Sequence, residues 1–353
     1  MKTKLHRIGG MLAVLFIAVV SAAAADKREV LVLTSTNNPA ANEVVVFKLN
    51  PGATPSLPLV AILPTGGNGG ASGNAGILQF QDELGAVANH GSNTVSQLLR
   101  SQHAIRIGQT ISLAAECTDP NSVALHEHYL FVVGANCAES HSWPSGSLAG
   151  SVVPLTDPSA AQIVVGQSWA AVTLTSGSVL QLPLSDGGPL NGTSSAVVLP
   201  GTANNTPLGA AFWGDILGFD PAHSSYSFAL VDPNGDVFPV LGPQPAYPSN
   251  APCWLAKGPG NVWYAGNSPG QAISIFFSDS QGGAFYKSVP LPGVPTDITV
   301  SHDGRWLAVI YTAADGTGGR IALFAIDAYG GLSWTATSSP VGIAGFNGVA
   351  ISQ

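Results

Sequence analysis

Short apolar runs, each of about five residues, recur along the whole chain and are separated by polar turns. The clearest unit is "DITVSHDGRWLAVIYT" (297–312), an alternating run, a turn at Asp303-Gly304 and a second apolar run. Similar units read "GILQFQDELGAVANH", "SVALHEHYLFVVGAN", "QIVVGQSWAAVTLTS", "GAAFWGDILGFD" and "CWLAKGPGNVWYAGN". Each predicts a β-hairpin, then a Gly/Asn-rich loop and a further strand. Their first strands are expected to start near 76, 122, 162, 209, 253 and 297. Those spacings, roughly 40 to 47 residues, are the period of a four-stranded propeller blade.

One unit is split between the two ends of the chain. "GVAISQ" (348–353) is a strand with nothing after it, whereas "EVLVLTST" (29–36) and "NEVVVFKL" (42–49) lack a strand before them. Joining the two ends completes a seventh blade and removes the open seam. The expected fold is therefore all-β: a seven-bladed β-propeller closed by pairing of the C-terminal strand with the N-terminal strands.

Composition adds an address. The N-terminus carries Lys2, Lys4 and Arg7, then the apolar core Met11 to Val20, then small residues at Ala23 and Ala25. That order predicts a secretory signal peptide over 1–25 and a single propeller domain over 26–353, secreted or periplasmic, with no membrane insertion after cleavage. Only 9% of residues are charged and the formal net charge is −8. No basic patch survives leader removal, so nucleic acid is not an expected partner.

The segment "SVALHEHYLFVVGANC" (122–137) contains His126-Glu127-His128. On a strand, the two imidazoles would share a face and could hold a metal. The repeat instead puts all three at the first hairpin turn of blade three, as solvated turn residues without a metal. A hairpin centred on Glu127 sets Cys117 and Cys137 opposite each other, so a disulfide is expected, worth on the order of 3 kcal/mol for a loop of about 20 residues. Cys253 is then left over and is expected to be a buried structural thiol.

Several strings resemble the seven-bladed lactonase family, which includes propeller 6-phosphogluconolactonases and carboxymuconate-lactonizing enzymes. They are "TGGNGG" (65–70), "NHGSNTVS" (89–96), "NAPCW" (250–254), "PTDITVSHDGRWLAV" (295–309) and "GFNGVA" (345–350). The resemblance implies a ligand on the face that collects the loops entering each inner strand and the loops between second and third strands. On that face it assigns Asn37, Asn38, Asn68, His90, Asn93, Asn121, Asn136, His141, Trp143, Asn205, His223, Asn250, Trp254, Asn267, Asp297 and Asn347. His90 and His141 are the candidate catalytic bases. Asn37, Asn68, Asn136, Asn250, Trp254, Asp297 and Asn347 are the candidate ligand-binding residues.

Amides, imidazoles and little charge suit a small neutral polar ligand or carbohydrate. A phosphorylated substrate would call for several Arg or Lys, of which only Arg320 has a claim to these loops. Two readings stay open: an exported hydrolase of a neutral lactone or sugar derivative, working without metal or cofactor, and a non-catalytic propeller binding a glycan, peptide or protein. A calcium-dependent lactonase is disfavoured, since only Asp297 supplies an axial carboxylate.

Overall fold

The computed structural model describes residues 29–71, 75–197, 206–222, 228–240, 252–268, 270–279, 282–340 and 347–353. The expected leader, 1–25, lies outside the described residues. The strands form seven four-stranded antiparallel sheets. The innermost strands are Asn347–Ser352, Leu78–Gln81, Ser122–His126, Ala160–Val165, Thr206–Trp213, Pro252–Lys257 and Gly293–Val300. Each touches the innermost strand of the next blade, and Gly293–Val300 touches Asn347–Ser352, so the sheets run round a ring.

Burial follows position in the blade. Second strands such as Trp169–Leu174 and Val262–Asn267 are buried at every residue, because neighbouring blades cover both faces of the sheet. Outermost strands such as Leu59–Pro64 are partly or fully exposed along their length. The core is accordingly a series of clusters. Leu31, Val44, Ile77, Val87 and Val123 belong to one; Val32, Val45, Ile310 and Ile321 belong to the next.

Closure takes place as the ends of the sequence foretell. Leu31 pairs with Ser352 and Thr34 with Val349, and the Thr34 hydroxyl donates to the Gly348 carbonyl at 2.8 Å. Asp297 braces the seam from the next blade. Its carboxyl accepts the Ile298 N–H at 2.8 Å and the Val349 N–H at 3.2 Å, and also an N–H from Gly76 on the other side of the closing strand. Three blades thus share one side chain.

Gly348 makes the close approach possible. Its φ is +80°, and a Cβ there would lie 2.3 Å from Ile77 Cγ2. Gly348→Ala is expected to cost about 3 kcal/mol, from the left-handed backbone and the overlap together. Urea unfolding measures this, and a loss below about 1 kcal/mol would mean that the seam tolerates the extra atom.

Burial pushes the Asp297 carboxyl up to about 7, against the opposing effect of its three backbone donors. Between the ordinary value of 3.8 and about 7, the folded chain keeps a proton that the unfolded chain has released. This group therefore weakens folding as pH rises through that window and adds no further change above it. Relative to Asp297→Asn, the wild type should lose up to about 4 kcal/mol between the ends of the window, at ~1.4 kcal/mol per pH unit. Unfolding titrations of both chains at stepped pH test it; a constant difference would contradict the burial argument.

Candidate functional site at the loop mouth

The loops of blades one to three on one face of the ring are joined into a continuous rim. Gly69 and Gly70 donate their N–H groups to the carbonyls of Asn38 and Asn37. The Asn37 amide locks the same loop: Oδ1 accepts from Gly70 and Ala71 at 2.9 and 3.0 Å, and Nδ2 donates to the Ala71 carbonyl at 2.6 Å. A Cβ on Gly69 would lie 2.3 Å from the Asn37 backbone, so "TGGNGG" needs glycine there to lie down on the neighbouring loop. On its other side, the loop meets blade two. The Asn68 N–H donates to Ser92 Oγ at 2.5 Å, and the Gly91 N–H to the Asn68 carbonyl at 3.0 Å.

Beneath this rim lies a network that the sequence reading did not anticipate. Asn89, wholly buried, accepts from Asn42 Nδ2 at 3.1 Å and Thr65 Oγ1 at 2.7 Å, and donates to Thr94 Oγ1 and Ser96 Oγ. Asn42 in turn accepts from the Asn37 N–H and from Ser35 Oγ. These amides satisfy loop backbone that is shut off from water, which is what a buried polar group must do. Their only signal in the sequence is an Asn at a strand end.

His90 begins a short 3-10 turn, His90–Ser92, between the second and third strands of blade two. Its side chain is 24% exposed, and Nε2 lies 3.9 Å from Asp119 Oδ1 on the loop entering blade three. Nδ1 is shut away from solvent and has no hydrogen-bond partner. Asp119 is another residue the sequence reading missed. It is held in place by Asn93, whose Oδ1 accepts the Asp119 N–H at 2.7 Å.

The neighbouring segment is fixed twice more. Asn136 Oδ1 accepts the Thr118 N–H at 3.0 Å and Nδ2 donates to the Glu116 carbonyl at 2.6 Å. Cys117 and Cys137 form the expected disulfide, with Cα atoms 5.3 Å apart. The register that suggested it is different, however. His126 pairs with Tyr129 and Ser122 with Val133, so the turn is centred between Glu127 and His128, and the ladder ends before either cysteine. Cys137 instead opens the third strand, Cys137–Ser142, after a tight turn in which Gly134 donates to its carbonyl.

The remaining assignments divide. Asn121 Nδ2 donates to the Ala160 carbonyl, Trp254 Nε1 to the Pro295 carbonyl and Asn267 Nδ2 to Ser274 Oγ, and all three tie adjacent strands or blades together. Asn347 opens the closing strand and accepts the N–H of Gly348. Asn205, His223 and Asn250 lie outside the described residues. His141 and Trp143 are not at this mouth. His141 lies opposite Leu130 near the first-hairpin end of blade three, and the Trp143 N–H donates to the His128 carbonyl in that hairpin turn. His141 is 2% exposed, with Nε2 2.7 Å from Glu139 Oε1 and Nδ1 3.0 Å from the Gly146 carbonyl.

His126 and His128 flank the same turn, as expected, with Glu127 at φ +49°. They belong to no cluster of metal-ligating groups among the described residues. Cys253 lies near the start of the innermost strand of blade six and contacts the Ser268 carbonyl. Burial, with the charge of Asp220 added, pushes its thiol up to about 12, which keeps it protonated and poorly nucleophilic.

No protein-family model matches this chain, and no curated protein does. Solved structures do. The chain is similar to the periplasmic gluconolactonase of Pseudomonas aeruginosa, with TM-score 0.64 and 14% identity over 92% of this chain and 99% of that one. A candidate 6-phosphogluconolactonase of Bacteroides uniformis gives TM-score 0.63 and 15% identity over 92% and 99%. Its counterpart from Bacteroides fragilis gives 0.62 and 13% over 94% and 99%. What this chain shares with them is the fold: a seven-bladed propeller matched over nearly the whole of each of those chains.

The disulfide yields a count. Alkylation of the unfolded, unreduced chain should label one cysteine, Cys253, and mass spectrometry should find three labels only after reduction. Three labels without reduction would remove the bridge.

Proposed function

We propose that the protein is an exported lactonase-type hydrolase acting on a neutral lactone or sugar derivative, without a metal. The observation that carries this reading is His90: an imidazole at the loop mouth with a carboxylate 3.9 Å from Nε2 and its other nitrogen closed off. Nε2 is the nitrogen left to take a proton from water, with the Asp119 carboxylate beside it. The hydroxide so formed adds to the lactone carbonyl. The exposed Asn68 amide, beside the His90 turn, donates to the developing oxyanion. Collapse breaks the ring C–O bond, and the alkoxide takes the proton back from His90, giving the hydroxy acid.

Neutrality of the substrate rests on the lining. Segments 36–42, 65–71, 89–93, 113–121 and 134–136 contain no Lys or Arg, and Arg320 reaches Thr317 on a turn of blade seven. These loops offer a phosphate no Lys or Arg to pair with. The names of the similar structures support lactone chemistry, and the leader pattern together with the disulfide supports export.

The test is a lactone panel that includes glucono-lactone and its 6-phosphate. Hydrolysis of a neutral member should fall at least about 100-fold in His90→Gln with the melting temperature held, and EDTA should leave the rate unchanged. His90→Gln at the wild-type rate, or preference for the phosphate, would overturn it. The second reading, a binding propeller, draws on the scarcity of charged groups, 9% of the chain, while the side-chain oxygens of Asn37, Asn93 and Asn136 are engaged in bracing loops. Saturable binding of a neutral sugar with no turnover on any lactone would favour it.

A further inference from the structure

The strand Cys137–Ser142, which starts at the mouth and runs into the interior of blade three, carries chemistry that the proposed reaction does not use. Its alternate residues Cys137, Glu139 and His141 share one face, and they are 1%, 0% and 2% exposed. Cys117, 2% exposed, comes against the same face through the disulfide. One donor atom from each of Cys117, Cys137 and Glu139 lies within 4.8 Å of the others.

We propose that reducing this disulfide exposes a buried site for a thiophilic divalent cation, zinc foremost, ligated by the Cys117 and Cys137 thiolates and the Glu139 carboxylate, with His141 as the residue that positions Glu139. Donors on tetrahedral zinc stand roughly 3.5 Å apart, with Zn–S about 2.3 Å and Zn–O about 2.1 Å, so once reduced the two sulfurs separate from bonding distance while the Glu139 oxygen, within 4.8 Å of them, closes in. Each Glu139 oxygen holds one hydrogen bond, from Ala114 N–H at 3.1 Å and with His141 Nε2 at 2.7 Å, which leaves lone pairs for a metal. The imidazole is itself anchored by the Gly146 carbonyl, the outer support that metal-ligating carboxylates use.

A carboxylate with no exposed surface is costly even when paired, and this chain has few charges to spend. Two thiolates and a carboxylate around a dication are offset together. The steps balance: a phosphine or dithiol gives two electrons, the S–S bond breaks and each sulfur takes a proton. Zinc then displaces both protons to solvent as two Zn–S bonds form. The site lies two residues from Asp119 along the chain, and its metal binding does not require His90 to act as a base.

The experiment uses the full exported chain, reduced with a phosphine under anaerobic conditions, freed of reductant and titrated with cobalt(II) and zinc(II). One cobalt per reduced chain should bind with thiolate-to-cobalt charge-transfer absorption, and none to the oxidised chain. Glu139→Gln and His141→Gln should each weaken binding about 10- to 100-fold. Zinc should also protect Cys117 and Cys137, but not Cys253, from alkylation in the reduced wild type, a measurement that needs no variant to fold. Absence of the charge-transfer band, equal uptake by oxidised chain, or alkylation of Cys117 and Cys137 unaffected by zinc would each overturn the proposal.

Discussion

The fold depends on one pairing, the antiparallel ladder between 31–35 and 347–352. Every blade in the ring is a sheet whose two faces are apolar, and only a neighbouring blade on each side can cover them. An open array would leave two uncovered faces and an unpaired inner edge. The short ladder at the seam cancels all three, and Asp297 adds a link from blade seven through the closing strand to Gly76. A buried carboxyl is an expensive way to do this. Its three backbone donors explain why it is tolerated, and its raised pKa shows that they do not fully offset its burial.

Much of this architecture was legible because apolar periodicity reports burial directly. The first strands expected near 122 and 253 start at Ser122 and Pro252, and the orphan strand at 348–353 pairs where the deficit at 29–49 requires. The mouth was legible only in part. Asn37, Asn68, His90, Asn93 and Asn136 stand on adjoining rim loops, since turn residues mark loops. His141 was misplaced because "CAESHS" has no apolar alternation and reads as a loop. It is a buried strand nonetheless, whose polar side chains satisfy one another and the backbone: Glu139 with His141, and Ser140 with the Ala149 carbonyl. Asp119 and Asn89 were invisible for a related reason, since their roles come from contacts between blades that local pattern does not carry.

The mouth also shows where the chain spends its asparagines. Asn37, Asn93 and Asn136 each use side-chain oxygen to accept backbone N–H groups of a different loop. Rigidity of the rim is thereby obtained without charges. It leaves exposed amide and imidazole on a braced frame, with the Asp119 carboxylate beside His90. The same economy makes the Glu139–His141 pair conspicuous, since the other buried polar side chains of the blade, Ser122 and Ser140, carry no charge.

The innermost strand of the first blade follows the other six blades along the chain, and the Thr34–Gly348 bond joins residues separated by 314 positions. Blade one cannot be completed until the other six blades have been synthesised. The nascent chain therefore remains an unsealed arc until Ser352 has emerged, with apolar flanks that a holding chaperone can grip.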